Sequence, residues 1–264
     1  MFEAKRSGML GVIAGDVIGS VHEWRGTKTT AFPLFEGGSR FTDDTVLTVA
    51  TAHAILNGSS YGDAYREFGR RHPDAGYGGS FRRWLMTAVP QPYQSWGNGS
   101  AMRVAPVGLA FDTVDDVLRE AERSAAVTHD HQEGIKGAQA VALAVFLARS
   151  GESRDAIRLE VTRRFGYRLE RTVDEIRPGY SFDVSCQGSV PEALTAFLEA
   201  IDVEHAIRLA VSLGGDSDTQ AAIAGGVAHA FFRHVPDAIV DGVRARLPEE
   251  FLAVLDAFDR SFPL

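Results

Sequence analysis

The 264-residue chain holds one cysteine, Cys186, so it can form neither an internal disulfide nor a multi-cysteine metal site. A reducing, cytoplasmic setting is expected from that usage. Basic residues are also short, at 27 Lys and Arg against 35 Asp and Glu, a formal net charge of -8. Nucleic acid and anionic lipid are gripped mainly through excess Lys and Arg, so non-specific binding to either is excluded as an expectation. Long apolar runs are missing too. The longest, 137–148, stops at Arg149, well short of the roughly 20 residues a membrane helix needs. The apolar stretch 8–15 follows Lys5 and Arg6 and has the look of a short signal core, but Asp16 closes it and no Ala-x-Ala site follows. Alternation of β-branched residues, the mark of half-buried strands, is almost absent.

Helical spacing fills the space these absences leave. Leu10, Ile13, Ala14, Val17, Ile18 and Val21 share one face of a first helix, while Gly11, Gly15 and Gly19 form a stripe that reads as a close helix contact. Further helices are expected from Thr42, over 61–71, over 81–89 with Ser80 as cap and Pro90 as stop, and from Asp112 and Thr113 to Ala126. A strongly apolar one over 134–149 belongs at the centre. Ser153 caps the next. Between 166 and 191 the periodicity dissolves, and a stretch that long is more often functional than idle. Helices resume over 191–200, 204–213, 219–232 and 237–247, and after Pro248. With no linker, repeat or composition break, residues 1–264 read as one all-α domain, a compact orthogonal helical bundle.

Two segments carry the chemistry: Thr42-Asp43-Asp44-Thr45 and Asp216-Ser217-Asp218-Thr219. Either alone reads first as a helix cap, contributing about 0.5–2 kcal/mol. A cap needs one acceptor, however, and each segment offers two carboxylates and a flanking Thr hydroxyl. Adjacent like charges repel unless a cation neutralises them, and hard oxygen donors suit Mg²⁺ or Mn²⁺ better than Zn²⁺. A rival reading takes Asp216-Ser217-Asp218-Thr219 as the nucleophile loop of a haloacid-dehalogenase-type phosphatase, where the first Asp closes a buried strand. An EF-hand fits worse, lacking the required Gly and Glu. Asp16, Ser20 and Glu23 line one side of the first helix; Asp16 sits among apolar positions, and Glu23 at a helix end asks for a partner. His129 and His131 lack a third ligand for zinc.

In order along the chain stand 15–19 (Gly-Asp-Val-Ile-Gly) with Glu23, 41–45 (Phe-Thr-Asp-Asp-Thr), 97–103 (Gly-Asn-Gly-Ser-Ala-Met-Arg), Thr128-His129 with Gly134, and 214–219 (Gly-Gly-Asp-Ser-Asp-Thr). Together these resemble the ADP-ribosylglycohydrolase family, over residues 8 to about 232. The resemblance implies an all-α fold with two Mg²⁺ or Mn²⁺ ions in a central cleft, held by Thr42, Asp43, Asp44, Asp216, Asp218 and Thr219 with one aspartate bridging. It implies Glu23 and Asp44 as the catalytic pair, with Asp16 behind the metal ligands. ADP-ribose contacts would fall to His129, to the 76–79 loop with Gly78 and Gly79, and to Ser95, Trp96, Asn98, Gly99 and Ser100. Glycine loops let backbone N–H groups approach a diphosphate, and Ser80 and Ala101 are expected to open helices whose N-termini favour anions. The implied activity is hydrolysis at the anomeric carbon of the distal ribose, on an ADP-ribose-bearing protein or small molecule, by a monomer. A di-metal phosphohydrolase, or a non-catalytic ADP-ribose-binding relative, are the alternatives; a non-catalytic relative should have lost some of Glu23, Asp43, Asp44, Asp216 and Asp218, and all five are intact.

Overall fold

The computed structural model describes residues 8–264, so Lys5 and Arg6 lie outside the described residues. Among them every regular element is a helix, and no helix is long and apolar enough to cross a membrane. The first half contributes α1 (Leu10–Gly19), α2 (Asp43–Asn57), α3 (Tyr61–Arg71), α4 (Gly79–Met86), α5 (Ala105–Ala110), α6 (Val114–Ala126) and α7 (Gln132–Arg149). The second contributes α8 (Arg154–Phe165), α9 (Val173–Ile176), α10 (Cys186–Glu199), α11 (Val203–Val211), α12 (Ser217–Phe232), α13 (Asp237–Arg244) and α14 (Glu249–Ser261). Side-chain caps explain many of the starts. Thr42, Ser60, Thr113, Ser153, Ser185 and Asp202 each accept a backbone N–H from the first turn of the helix that follows.

The core is organised around α12, whose residues are buried from Ser217 to Ala230 and which packs on α1, α5, α7, α10 and α11. A helix enclosed on all sides must be apolar all round, which is why its sequence is Ala- and Gly-rich rather than amphipathic. The glycine stripe of α1 sets the closest contact. A Cβ on Gly15 would stand 2.0 Å from the Ala221 carbonyl oxygen, and one on Gly11 2.2 Å from that of Gly225. No side chain fits there, so the two helices touch backbone to backbone.

Several boundaries differ from the periodicity. The first helix ends at Gly19, which puts Glu23 in the turns beyond it rather than on its face. α4 begins at Gly79 with Gly78 before it, not at Phe81 with a Ser80 cap. It ends at Met86, where the backbone turns extended at Thr87, whose hydroxyl donates to the Arg83 carbonyl at 2.8 Å. Ala101 opens no helix: Asn98–Ser100 is a single 3-10 turn, and α5 starts at Ala105. α10 starts at Cys186 and carries Pro191 inside, at the cost of one intrahelical hydrogen bond. His131 is the N-cap of α7, its Nδ1 accepting the Glu133 N–H at 3.1 Å. The phosphatase reading fails on its own requirement, since the residues before Asp216 lie in α11 and a turn, not in a strand.

Candidate active site

Backbone contact between α1 and α12 brings three segments distant in sequence to one point. Asp16, fully buried on α1, spends its carboxylate on the start of α2. Oδ2 accepts the Thr42 and Thr45 N–H groups at 2.9 and 3.0 Å together with the Thr45 hydroxyl, and Oδ1 accepts the Thr42 hydroxyl at 2.7 Å. It therefore caps α2 from another helix and leaves no oxygen unoccupied. Asp43 and Asp44 are held in place by that cap. The Asp43 N–H also donates to the Ala75 carbonyl at 2.8 Å, tying α2 to the 76–79 loop. From the other side, α12 presents Asp216, Asp218 and Thr219, and the Thr219 hydroxyl donates to Asp44 Oδ1 at 3.0 Å. Asn98 donates its amide to Asp216 Oδ2 at 2.8 Å.

The result is a concentration of buried carboxylates. Oxygens of Asp16, Asp44 and Asp218 lie within 4.8 Å of one another, as do those of Glu23, Asp216 and Asp218, so Asp218 is common to two adjacent triads. Burial raises every one of these groups above its ordinary value. For Asp44 the next influences are the charges of Asp218, Asp16, Asp43 and Asp216, all of one sign. Asp43 and Asp218 are likewise pushed well up, Asp216 to about 6, and half-buried Glu23 to about 7 by burial first and the Asp218 charge second. Carboxylates this crowded hold either extra protons or cations. The donor set is all oxygen, which fits hard divalent ions and not thiophilic ones.

Above these groups opens a cleft of about 470 Å³, within the usual range for small-molecule sites. A profile of the ADP-ribosylglycohydrolase family matches residues 2–262. The chain belongs to the ADP-ribosylglycohydrolase family. Its relatives include the ADP-ribosylhydrolase ARH3 of Bos taurus, 27% identical over 88% of this chain and 86% of that protein. The ADP-ribosylarginine hydrolase Tri1 of Pseudomonas putida is 23% identical, covering 86% of this chain and 70% of its own. A solved structure, an ADP-ribosylglycohydrolase-related protein complex, superposes with a TM-score of 0.74 at 28% identity, covering 98% of both chains. The family is metal-dependent, in keeping with the carboxylate cluster.

Most residues expected from the family resemblance meet in this cleft. Glu23, Asp43, Asp44, Asp216, Asp218 and Thr219 form its floor, and Gly78, Gly79, Ser95, Asn98, Gly99 and His129 line its walls. Four do not line it. Asp16 and Thr42 lie beneath the floor, bonded to each other. Ser100 is fully buried with its hydroxyl on the Gly134 carbonyl at 2.7 Å. Trp96 is neither core nor wall: its ring is 48% exposed outside the cleft, while its carbonyl accepts the Cys186 N–H. Burial pushes the Cys186 thiol up to about 12, so it stays protonated and donates to the Gly97 carbonyl at 3.1 Å.

Trp24 lines the cleft without having been singled out from the sequence, and Phe182 joins it from the aperiodic stretch that the sequence marks as functional. Their rings stack with centroids 4.8 Å apart beside Glu23, although Trp24 is 78% exposed. Adjacency to Glu23 was the available signal for Trp24; Phe182 falls in the aperiodic 166–191 stretch. That stretch is clamped from below, because the Tyr180 hydroxyl donates to the Gly188 carbonyl and accepts from Gln220 of α12. Lys28 adds three bonds, to the carbonyls of Arg177, Tyr180 and Leu213. Asn98 N–H to the Val184 carbonyl then joins the aperiodic stretch to the glycine loop.

Proposed function

We propose that this protein hydrolyses the bond between the anomeric carbon of the distal ribose of ADP-ribose and an attached group, releasing free ADP-ribose. The observation that carries the reading is the position of Glu23, half-buried at about 7, against two carboxylate triads that share Asp218 on the floor of one cleft. Thr42, Asp43, Asp44, Asp216, Asp218 and Thr219 would hold two Mg²⁺ or Mn²⁺ ions. Bound there, such ions supply Lewis acidity toward the ribose diol and a lowered water pKa.

The chain's own groups do the remaining work. Burial raises Glu23 above the ordinary carboxylate range, which favours the protonated form that a general acid toward the leaving group requires, and its carboxylate form can accept a proton from water. Asp44 is aimed by the Thr219 hydroxyl and cannot rotate freely. Backbone N–H groups around Gly78–Gly79 suit a diphosphate, because no side chain blocks the approach and α4 begins at Gly79 with no side-chain cap on its first N–H groups; in the 97–99 loop the Gly97 and Asn98 N–H groups are spent on Ser95 and Val184, which leaves that of Gly99. Binding energy from the remote adenosine diphosphate then orients the ribose. The stacked Trp24–Phe182 pair stands on the side of Glu23, where the departing group leaves.

The experiment is a panel of defined conjugates carrying ADP-ribose on arginine, serine, an acetyl ester, a nucleobase or a second ADP-ribose, incubated with protein and Mg²⁺ or Mn²⁺. Free ADP-ribose from at least one conjugate is the expected product. Release of inorganic phosphate instead would establish the phosphohydrolase alternative. Asp218→Ala should reduce the number of ions bound by calorimetry, and an unchanged stoichiometry would remove the metal assignment.

A further inference from the structure

Arg103 is fully buried, yet its Nε and Nη1 have no hydrogen-bond partner, and it borders the cleft beside His129. Its guanidinium lies over the Tyr65 ring, 4.1 Å from the centroid. Only Nη2 is engaged, donating to the Ser124 carbonyl at 3.1 Å and to the Thr128 hydroxyl oxygen at 2.9 Å. The same Thr128 oxygen stands 2.7 Å from His129 Nδ1.

An arginine can only donate, so Thr128 Oγ1 must accept from it and keeps its own hydrogen to give elsewhere. The Thr128 oxygen has lone pairs enough for two donors, but were Nδ1 protonated its hydrogen would be turned toward a buried cation at low dielectric. With Nδ1 bare, its lone pair faces the cation and takes the Thr128 hydrogen. Arg103 is the charge that acts on this imidazole, and the Tyr93 ring lies 6.0 Å from it between centroids. Burial and Arg103 both hold His129 well below its ordinary range, so it carries a single ring proton at neutral pH.

We infer that Arg103 and Thr128 form a relay that locks His129 in the tautomer with its proton on Nε2, making it a fixed donor to a phosphate oxygen of the bound nucleotide. Arg103 and Thr128 are thus positioning residues that act through His129. Nε2 points at the glycine loop: a Cβ on Gly99 would stand 3.1 Å from it and one on Gly97 3.8 Å away. Glycine at both positions keeps that side of the ring open. The identity of the acceptor rests on the ADP-ribose reading above, whereas the tautomer does not.

Nitrogen-15 NMR of the histidine-labelled full chain tests the relay directly. The wild type should show one His129 tautomer, Nε2–H with a bare Nδ1, unchanged from pH 6 to 8. Thr128→Val, which keeps the shape and removes the hydroxyl, should yield mixed tautomers and about tenfold weaker ADP-ribose binding, the effect of one charge-assisted hydrogen bond. Thr128→Ser should restore both. An Nδ1–H signal in the wild type overturns the relay whatever the variants do, as does a Thr128→Val protein that keeps the single tautomer. A wild type with the expected tautomer that fails to bind ADP-ribose overturns the phosphate acceptor and the functional reading while leaving the relay standing.

Discussion

Stripping divalent ions from this protein should make it lose stability as the pH rises from about 4.5 to 8, opposite to the usual behaviour of carboxylates in ion pairs. Asp216 sets the scale. Its carboxyl has an ordinary value of 3.8 and is raised to about 6 by burial first of all, so the folded state binds its proton more tightly than the unfolded chain does. Well below pH 3.8 both states are protonated and no penalty exists. Between 3.8 and about 6 the unfolded chain ionises while the folded state keeps its proton, so stability falls, and above 6 the folded group ionises too and the full loss is reached. At about 1.4 kcal/mol per pKa unit, Asp216 alone contributes about 3 kcal/mol of loss by pH 8. Asp43, Asp44 and Asp218 are displaced in the same direction and add to it. For a chain of this size that corresponds to a midpoint roughly 6–12 °C lower. The assay is thermal denaturation followed by circular dichroism, on chelator-stripped protein and on protein with saturating Mn²⁺ or Mg²⁺. The stripped protein should show the falling midpoint, and the loaded protein should not. A stripped midpoint that is flat or rises over this range, or a slope that metal leaves unchanged, refutes the claim that these carboxylates are crowded for cations.

Three further outcomes follow from particular contacts. Glu23→Gln should keep ADP-ribose affinity while turnover falls about 10²–10⁴-fold, and full activity in that variant removes Glu23 from the chemistry. Gly15→Ala drives a methyl into the Ala221 carbonyl, 2.0 Å away, and should cost about 3 kcal/mol in urea denaturation; a neutral result would mean that α1 and α12 do not touch through their backbones. Trp24→Ala should weaken kcat/KM for conjugates with large attached groups while sparing free ADP-ribose binding, and Trp96→Ala should change neither, since its ring stands outside the cleft.

What the sequence by itself determined is local: caps, apolar faces and the clustering of carboxylates within two short segments. Thr113 and Ser153 mark helix starts because capping is a contact between neighbours a few residues apart. The family motifs, each a run of adjacent residues, were legible for the same reason, and with them most of the floor and walls of the cleft. The failures share a cause as well. Glu23 could not be placed from spacing, because the helix stops at Gly19. α10 runs through Pro191 because tertiary packing outweighs a rule about first turns. Trp96 and Trp24 look alike as exposed aromatics, and only the path of the chain decides which one faces the cleft. The charge of -8 is likewise a sum without a location. The tertiary structure alone gathered six of those carboxylates at one point, by pressing a stripe of glycines on α1 against α12 so closely that Asp16 reaches α2 and Asp218 reaches Glu23. Such a contact joins residues some 200 positions apart, where no periodicity extends.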